Sequence, residues 1–248
     1  MPERGRLRFR PTPWATAFTI VGLAALIGLG TWQLQRLEWK EEQIAERHAR
    51  STEEAVALPG GLGDPQALDY VRVALTGRFL HDRELHLGSR TLKGAVGYHV
   101  VTPLLLDDGR TILVDRGWVP PERLDPTSRA EGQVAGEVEI EALLRPGGWR
   151  GWTLTRPAND PAGNLWLWLD LPAMFEALGA EAAGLGRPIT SVYAEALPNG
   201  APGGLPVAVA GAIDLRNEHL QYALTWYALA LALLIIYLVY STRRGEWP

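Results

Sequence analysis

Five histidines are the side chains in this 248-residue chain best suited to holding a metal or a haem iron. His48 lies in a polar, helix-favouring stretch, and His81, His86 and His99 fall in strand-like segments. No two of them have the H-E-x-x-H spacing of a zinc helix. His219 differs: it stands in Asn217-Glu218-His219-Leu220-Gln221-Tyr222, at the head of a charge-free run. On a helix, Tyr222, Ala223, Trp226 and Ala230 share its face, because steps of three, four, seven and eleven return to the same side. That face joins an imidazole, small residues that leave room, and aromatic walls. A flat macrocycle could lie on it with the His219 Nε2 on iron. The same residues also describe a polar group marking the interfacial end of a membrane span, and residue types alone leave both readings open.

Other chemistries find little support. The chain has no cysteine, which excludes disulfides, iron–sulfur clusters, thiolate zinc sites and covalent c-type haem attachment. Ser51, Ser89, Ser128, Ser191 and Ser241 sit in no nucleophile elbow. Neither a dinucleotide fingerprint nor a P-loop is present. Asp107-Asp108 and Glu41-Glu42 read as a solvated turn and a helix face. No enzymatic activity is expected.

The elements that position His219 come next. Charged residues are missing between Arg10 and Arg36, and again between His219 and Arg243. Each stretch is long enough to cross roughly 30 Å of hydrocarbon as a helix. The first is longer than a signal-peptide core and ends in Gly30-Thr31-Trp32-Gln33, without a small-x-small cleavage site. Five of the ten tryptophans (Trp14, Trp32, Trp39, Trp226, Trp247) lie in or beside these stretches, as amphipathic indoles do at membrane interfaces. Arg4, Arg6, Arg8 and Arg10 precede the first span, and Arg243 and Arg244 follow the second. Positive residues stay on the cytoplasmic side, so both termini are expected there and the middle outside. That middle carries 18 basic against 26 acidic residues from Arg36 to His219, which argues against a nucleic-acid face.

The pattern predicts an α+β membrane protein: two transmembrane helices flank a mainly antiparallel β domain, barrel- or sandwich-like, outside the cytoplasm. The expected division is a cytoplasmic N-terminus to residue 13, spans over 14–35 and 219–240, the domain over 36–218, and a cytoplasmic C-terminus from 241. The first helix is expected to run on through a polar stretch to Glu54, before Pro59-Gly60-Gly61 breaks it. Alternation over Val71–Thr76 and Glu137–Glu141, and the apolar segments Tyr98–Leu106 and Thr111–Val114 around Asp108-Gly109, predict strands and a hairpin. Leu165–Asp170 reads as a strand with Trp166, Trp168 and Asp170 on one side. Leu171–Leu178 reads as a helix ended by Gly179, Ile189–Leu197 as the last strand, and Pro198–Gly211 as a flexible loop.

Four segments in order resemble one known family. They are Gly30-Thr31-Trp32-Gln33-Leu34-Gln35-Arg36 with Trp39-Lys40; Gly77-Arg78-Phe79 and then Gly97-Tyr98-His99-Val100-Val101-Thr102-Pro103; Leu113-Val114-Asp115-Arg116-Gly117-Trp118-Val119-Pro120; and Asn217 through Trp226. Asn159-Asp160-Pro161 with Leu165-Trp166 and Asp170 adds to them. With the two-span layout they resemble the Surfeit locus protein 1 family, although Asp115 stands where Asn is common in that family. The resemblance implies an assembly factor for haem-copper cytochrome c oxidase in a bacterial plasma membrane. Such a protein would bind haem a and help to insert it into the catalytic subunit, with haem a synthase as a further partner and membrane lipid around the spans. A scaffold for an oxidase subunit that binds no haem is the alternative. The resemblance puts the iron ligand at His219, on the face with Tyr222, Ala223 and Trp226. Trp32 could pack on a haem edge or anchor at the interface. Arg36 or Arg116 could pair with haem propionates or brace the protein's own loops.

Overall fold

The computed structural model describes residues 9–149, 151–179, 184–198, 201–210 and 218–243. Arg4, Arg6, Arg8, Asn217, Arg244 and Trp247 of the readings above lie outside them. The chain divides into two compact units, Met1–Ala45 with Asp214–Pro248, and Glu46–Ile213.

The first unit is a pair of helices, the first of them as far as Ala45. Helix α1 spans Pro13–Thr52 and helix α3 spans His219–Arg243. Both are long and apolar enough to cross a membrane. Their outward faces carry large apolar side chains such as Phe18, Ile20, Leu224 and Ile236, which suits lipid rather than water as solvent. Proline opens α1, where its missing N–H costs no hydrogen bond. The polar continuation predicted beyond the first span is present, since α1 runs unbroken to Thr52.

The second unit is β-rich. Its strands are β1 (Val56–Ala57), β2 (Arg72–Phe79), β3 (Leu85–Leu92), β4 (Ala95–Leu106), β5 (Arg110–Val119), β6 (Glu137–Pro146), β7 (Leu165–Trp166), β8 (Arg187–Pro188) and β9 (Val192–Ala196), with helix α2 at Leu171–Ala177. Five of them close into a barrel in the order β2-β6-β9-β5-β4, because β4 pairs back onto β2 from Gly77↔Leu106 to Phe79↔Leu104. Neighbours are antiparallel except β5 and β9. Closure removes the exposed edges an open sheet would present. Long β4 makes it possible, pairing β3 over its first half and β2 over its last residues.

Two cores follow from alternation along the strands. Val73, Leu75, Leu104, Ile112, Val114, Ile140 and Ala194 fill the barrel. Leu113, between two barrel-facing residues, turns the other way with Val101, Leu85 and Leu87 onto Trp166, Met174 and Phe175 of the α2 layer. Buried on both faces, the Ile112-Leu113-Val114 stretch of β5 reads as a continuous apolar run rather than an alternating one.

The structure corrects three expectations. The segment Leu165–Asp170 is a strand only at Leu165–Trp166. Asp170, expected to share a strand face with Trp166, instead caps α2, its carboxylate accepting from Ala173 N at 3.4 Å. Competition from a helix start outweighs alternation there. Of the histidines expected in strand-like segments, His86 lies in β3 and His99 in β4, but His81 opens a short 3₁₀ turn, His81–Arg83, where the chain passes from β2 to β3. Lastly, residues 201–210 are not a free tether: Val207 exchanges two 2.8 Å backbone hydrogen bonds with Trp118.

Candidate functional site: an imidazole held in a helix pair

His219 is the first residue of α3 and is half-buried. The face it begins is split by packing. Ala223 and Ala230 are buried, at 1 % and 6 % exposure, whereas Trp226 is half-buried and Tyr222 is 53 % exposed. On α1 the matching residues are Thr19 and Gly30, both buried. Small residues on both helices let the backbones approach closely, as lipid-embedded pairs require. The helices run antiparallel, with Thr16 against Tyr237 and Gly30 against Tyr227.

Among the described residues, side-chain hydrogen bonds join them at Thr16, Thr31 and His219. Thr16 Oγ1 donates to Thr12 O and therefore accepts from the Tyr237 hydroxyl, at 2.7 Å. Thr31 Oγ1 donates to Ile27 O and accepts from the Tyr227 hydroxyl at 3.2 Å. The third is at His219, whose Nδ1–H donates to Gln33 Oε1 at 2.7 Å. In the sequence Gln33 stands out only as part of a motif at the exit of a span. The available signal was the amide itself: a neutral hydrogen-bonding side chain in a charge-free helix needs a partner on a neighbouring helix.

The neutral imidazole carries one N–H and one lone pair. With Nδ1 donating, the lone pair lies on Nε2. The donor set therefore fits a haem iron, which takes an axial imidazole through that nitrogen.

The other candidates are dispersed. Trp32 lies on α1 and is 54 % exposed. Arg36 is exposed and stacks 3.9 Å over the Trp39 ring. Arg116 belongs to the β domain. It is the extra residue at the register shift opposite Val100 and Val101, and the bulge aims it inward. Its Nη2 donates to Gly132 O, its Nη1 to His81 Nδ1 at 3.4 Å, and its guanidinium lies 4.9 Å over the Phe79 ring. Burial, helped by nearby Arg129, pushes its pKa down to about 10. The next residue, Gly117, has φ 118° and faces the Val207 backbone so closely that a Cβ would overlap it, which explains the tight feature the sequence suggests.

The remaining described histidines of the β domain are tied to their own surroundings. His86 Nε2–H donates to Glu84 Oε1 at 3.0 Å, and His99 Nδ1–H to Asp115 Oδ2 at 2.8 Å. His81 Nε2–H donates to Val134 O at 2.9 Å. Asp115 also accepts from Gly117 N at 3.0 Å. Beside this pair Arg145 bridges Asp69 at 2.9 Å and Glu195 at 2.8 Å, and a cavity of about 210 Å³ touches His99, Asp115, Arg145 and Glu195. Burial holds the Glu195 carboxyl above its ordinary value, although Arg145 opposes it. This ionic network was not legible in the sequence, because its members come from separate strands and from the turn that precedes β2.

A helix pair apolar enough to cross a membrane, joined in sequence to a closed five-stranded β-barrel, defines an α+β protein of the two-span membrane class. Residues 20–231 match the model of the SURF1 family, and the chain belongs to that family. It is 39 % identical over 229 residues to a SURF1-like protein of Monosiga brevicollis, covering 88 % of this chain and 84 % of that one. It is 36 % identical to Surfeit locus protein 1 of Mus musculus over 246 residues, 92 % and 76 % of the two chains, and 38 % identical to that of Homo sapiens over 225 residues, 83 % and 70 %.

Proposed function

We propose that this protein is a cytochrome c oxidase assembly factor that holds haem a on His219 and passes it to the catalytic subunit of the oxidase. The SURF1 family is one of cytochrome c oxidase assembly factors, and membership supports the general role. One observation carries the haem reading: an imidazole at the head of an apolar helix whose Nδ1 is already engaged, leaving Nε2 as the ligand atom. Haem a is cargo here. His219 supplies the nitrogen ligand, and half-buried Trp226 and exposed Tyr222 supply aromatic surface beside it. A single protein ligand on the face of a two-helix pair suits a transient hold better than permanent capture. Arg36, outside the apolar stretch, is the cation of the helix unit best suited to meet a propionate. The arginines that flank the spans support placing both chain ends on the cytoplasmic side, and the reading takes the membrane to be the bacterial plasma membrane.

The test is an absorbance spectrum of the full chain purified from cells that make haem a. His219→Ala should lose the bound haem a, whereas His86→Ala and His99→Ala should keep it, because both histidines serve carboxylates within the β domain. An unaltered haem spectrum and stoichiometry in His219→Ala would move the function to the scaffold reading.

A further inference from the structure

We propose that Gln33 is the positioning residue of the haem-iron ligand, fixing the tautomer and ring orientation of His219 from the opposite helix. The inference rests on the haem reading above and deepens it. A histidine can ligate through only one nitrogen at a time, and the hydrogen bond made by the other decides which. Here that bond goes to a side-chain oxygen at 2.7 Å, 186 residues away in the chain. It forms only when α1 and α3 are paired. The imidazole is thus competent to ligate through Nε2 in the assembled helix pair, while an unpaired α3 leaves its tautomer unspecified.

The choice of an amide has a consequence. Metal-bound histidines commonly donate their free N–H to a carboxylate or a carbonyl, and the stronger acceptor makes the imidazole the stronger ligand. Glutamine offers the carbonyl-type acceptor without burying a charge in an apolar helix. It sets the ring while leaving donor strength modest, which suits a protein that must release its cargo. Gln33 could instead be a brace between helices, and the two roles separate cleanly. Thr31 with Tyr227 provides another interhelical hydrogen bond on the same pair that does not involve His219.

The experiment uses the full chain in lipid nanodiscs, with ¹⁵N-labelled histidine, before and after loading with haem a. In the haem-free wild type the His219 nitrogen shifts should report the Nδ1–H tautomer. Gln33→Leu should abolish that signature and weaken haem a retention on the order of ten- to a hundredfold. Gln33→Glu, which keeps an acceptor and guards against a misfolded Gln33→Leu, should keep the haem and move its midpoint potential to more negative values. Thr31→Val should leave tautomer, retention and potential as in the wild type. The proposal is overturned if Gln33→Leu leaves the tautomer and potential unchanged, or if Thr31→Val does the same damage as Gln33→Leu. His219→Ala run alongside separates the two levels: if it keeps haem a, the ligand reading falls and the proposal with it, whereas failure confined to the Gln33 variants overturns the proposal alone.

Discussion

At the scale of residues, the most exacting arrangement outside the helix pair is the contact of Arg129 with Glu84. Both side chains are almost wholly buried, at 2 % and 4 % exposure, and Arg129 also donates to Arg123 O at 3.0 Å and Leu124 O at 3.1 Å. Burial pushes the Glu84 carboxyl up, but hydrogen bonds from His86 and Arg129 and the Arg129 charge outweigh it, so it titrates below its usual 4.5. A carboxyl depressed on folding stabilises the fold above its unfolded-state value and loses that contribution as pH falls through the folded one. Arg129→Met leaves the buried carboxylate without its guanidinium partner, with only the His86 hydrogen bond remaining of the two, and should cost about 3–5 kcal/mol near neutral pH. In thermal melts of the full chain in detergent, the gap between wild type and variant should narrow as the pH is taken below about 4.5. A gap independent of pH would mean that the loss is one of packing rather than charge.

At the scale of elements, Gly28 and Gly30 of α1 make a matched pair. A Cβ at Gly30 would lie 2.8 Å from the Tyr227 ring, whereas Gly28 has nothing within 4 Å of its Cβ position. Gly30→Ala must therefore displace Tyr227 and its contact with Thr31, at a cost of about 1–3 kcal/mol by overpacking. Gly28→Ala should be neutral or stabilise the helix by up to about 1 kcal/mol. Far-UV circular dichroism during denaturation of the two variants in mild detergent checks both signs. Equal effects at the two positions would show that Gly30 is not at a packed seam. Much of this was readable beforehand. Freedom from charge over two stretches forces helices, and alternation forces strands. The seam between the helices was not readable, since Ala223 and Gly30 become interfacial only through their neighbours on the other helix.

At the scale of the whole molecule, the open question is the side of the membrane on which the β domain lies. The cysteine-free sequence makes it directly measurable. A single cysteine at Gly61, in an exposed loop, should react with a membrane-impermeant maleimide added to intact cells, and one at exposed Pro11 should react only after lysis. The opposite pattern would overturn the orientation drawn from the flanking arginines. Gly132 is a poor insertion point by comparison, because it is buried and its carbonyl accepts from Arg116.

The sequence by itself determined the two spans, the β character of the middle, the family and the prominence of His219. Each of these is written in local terms: runs without charge, period-two alternation, and ordered short motifs. The tertiary structure alone decided the rest. Barrel closure depends on β4 pairing with β2, Gly77–Phe79 against Leu104–Leu106, and no local pattern encodes which strand meets which. The carboxylate partners of His86 and His99 lie only 2 and 16 residues away, yet the contacts depend on burial and on strand register. The bond between Gln33 and His219 spans 186 residues. Such bonds depend on chain ends brought together by burial of apolar surface, and burial specifies residue types far more strictly than it specifies partners.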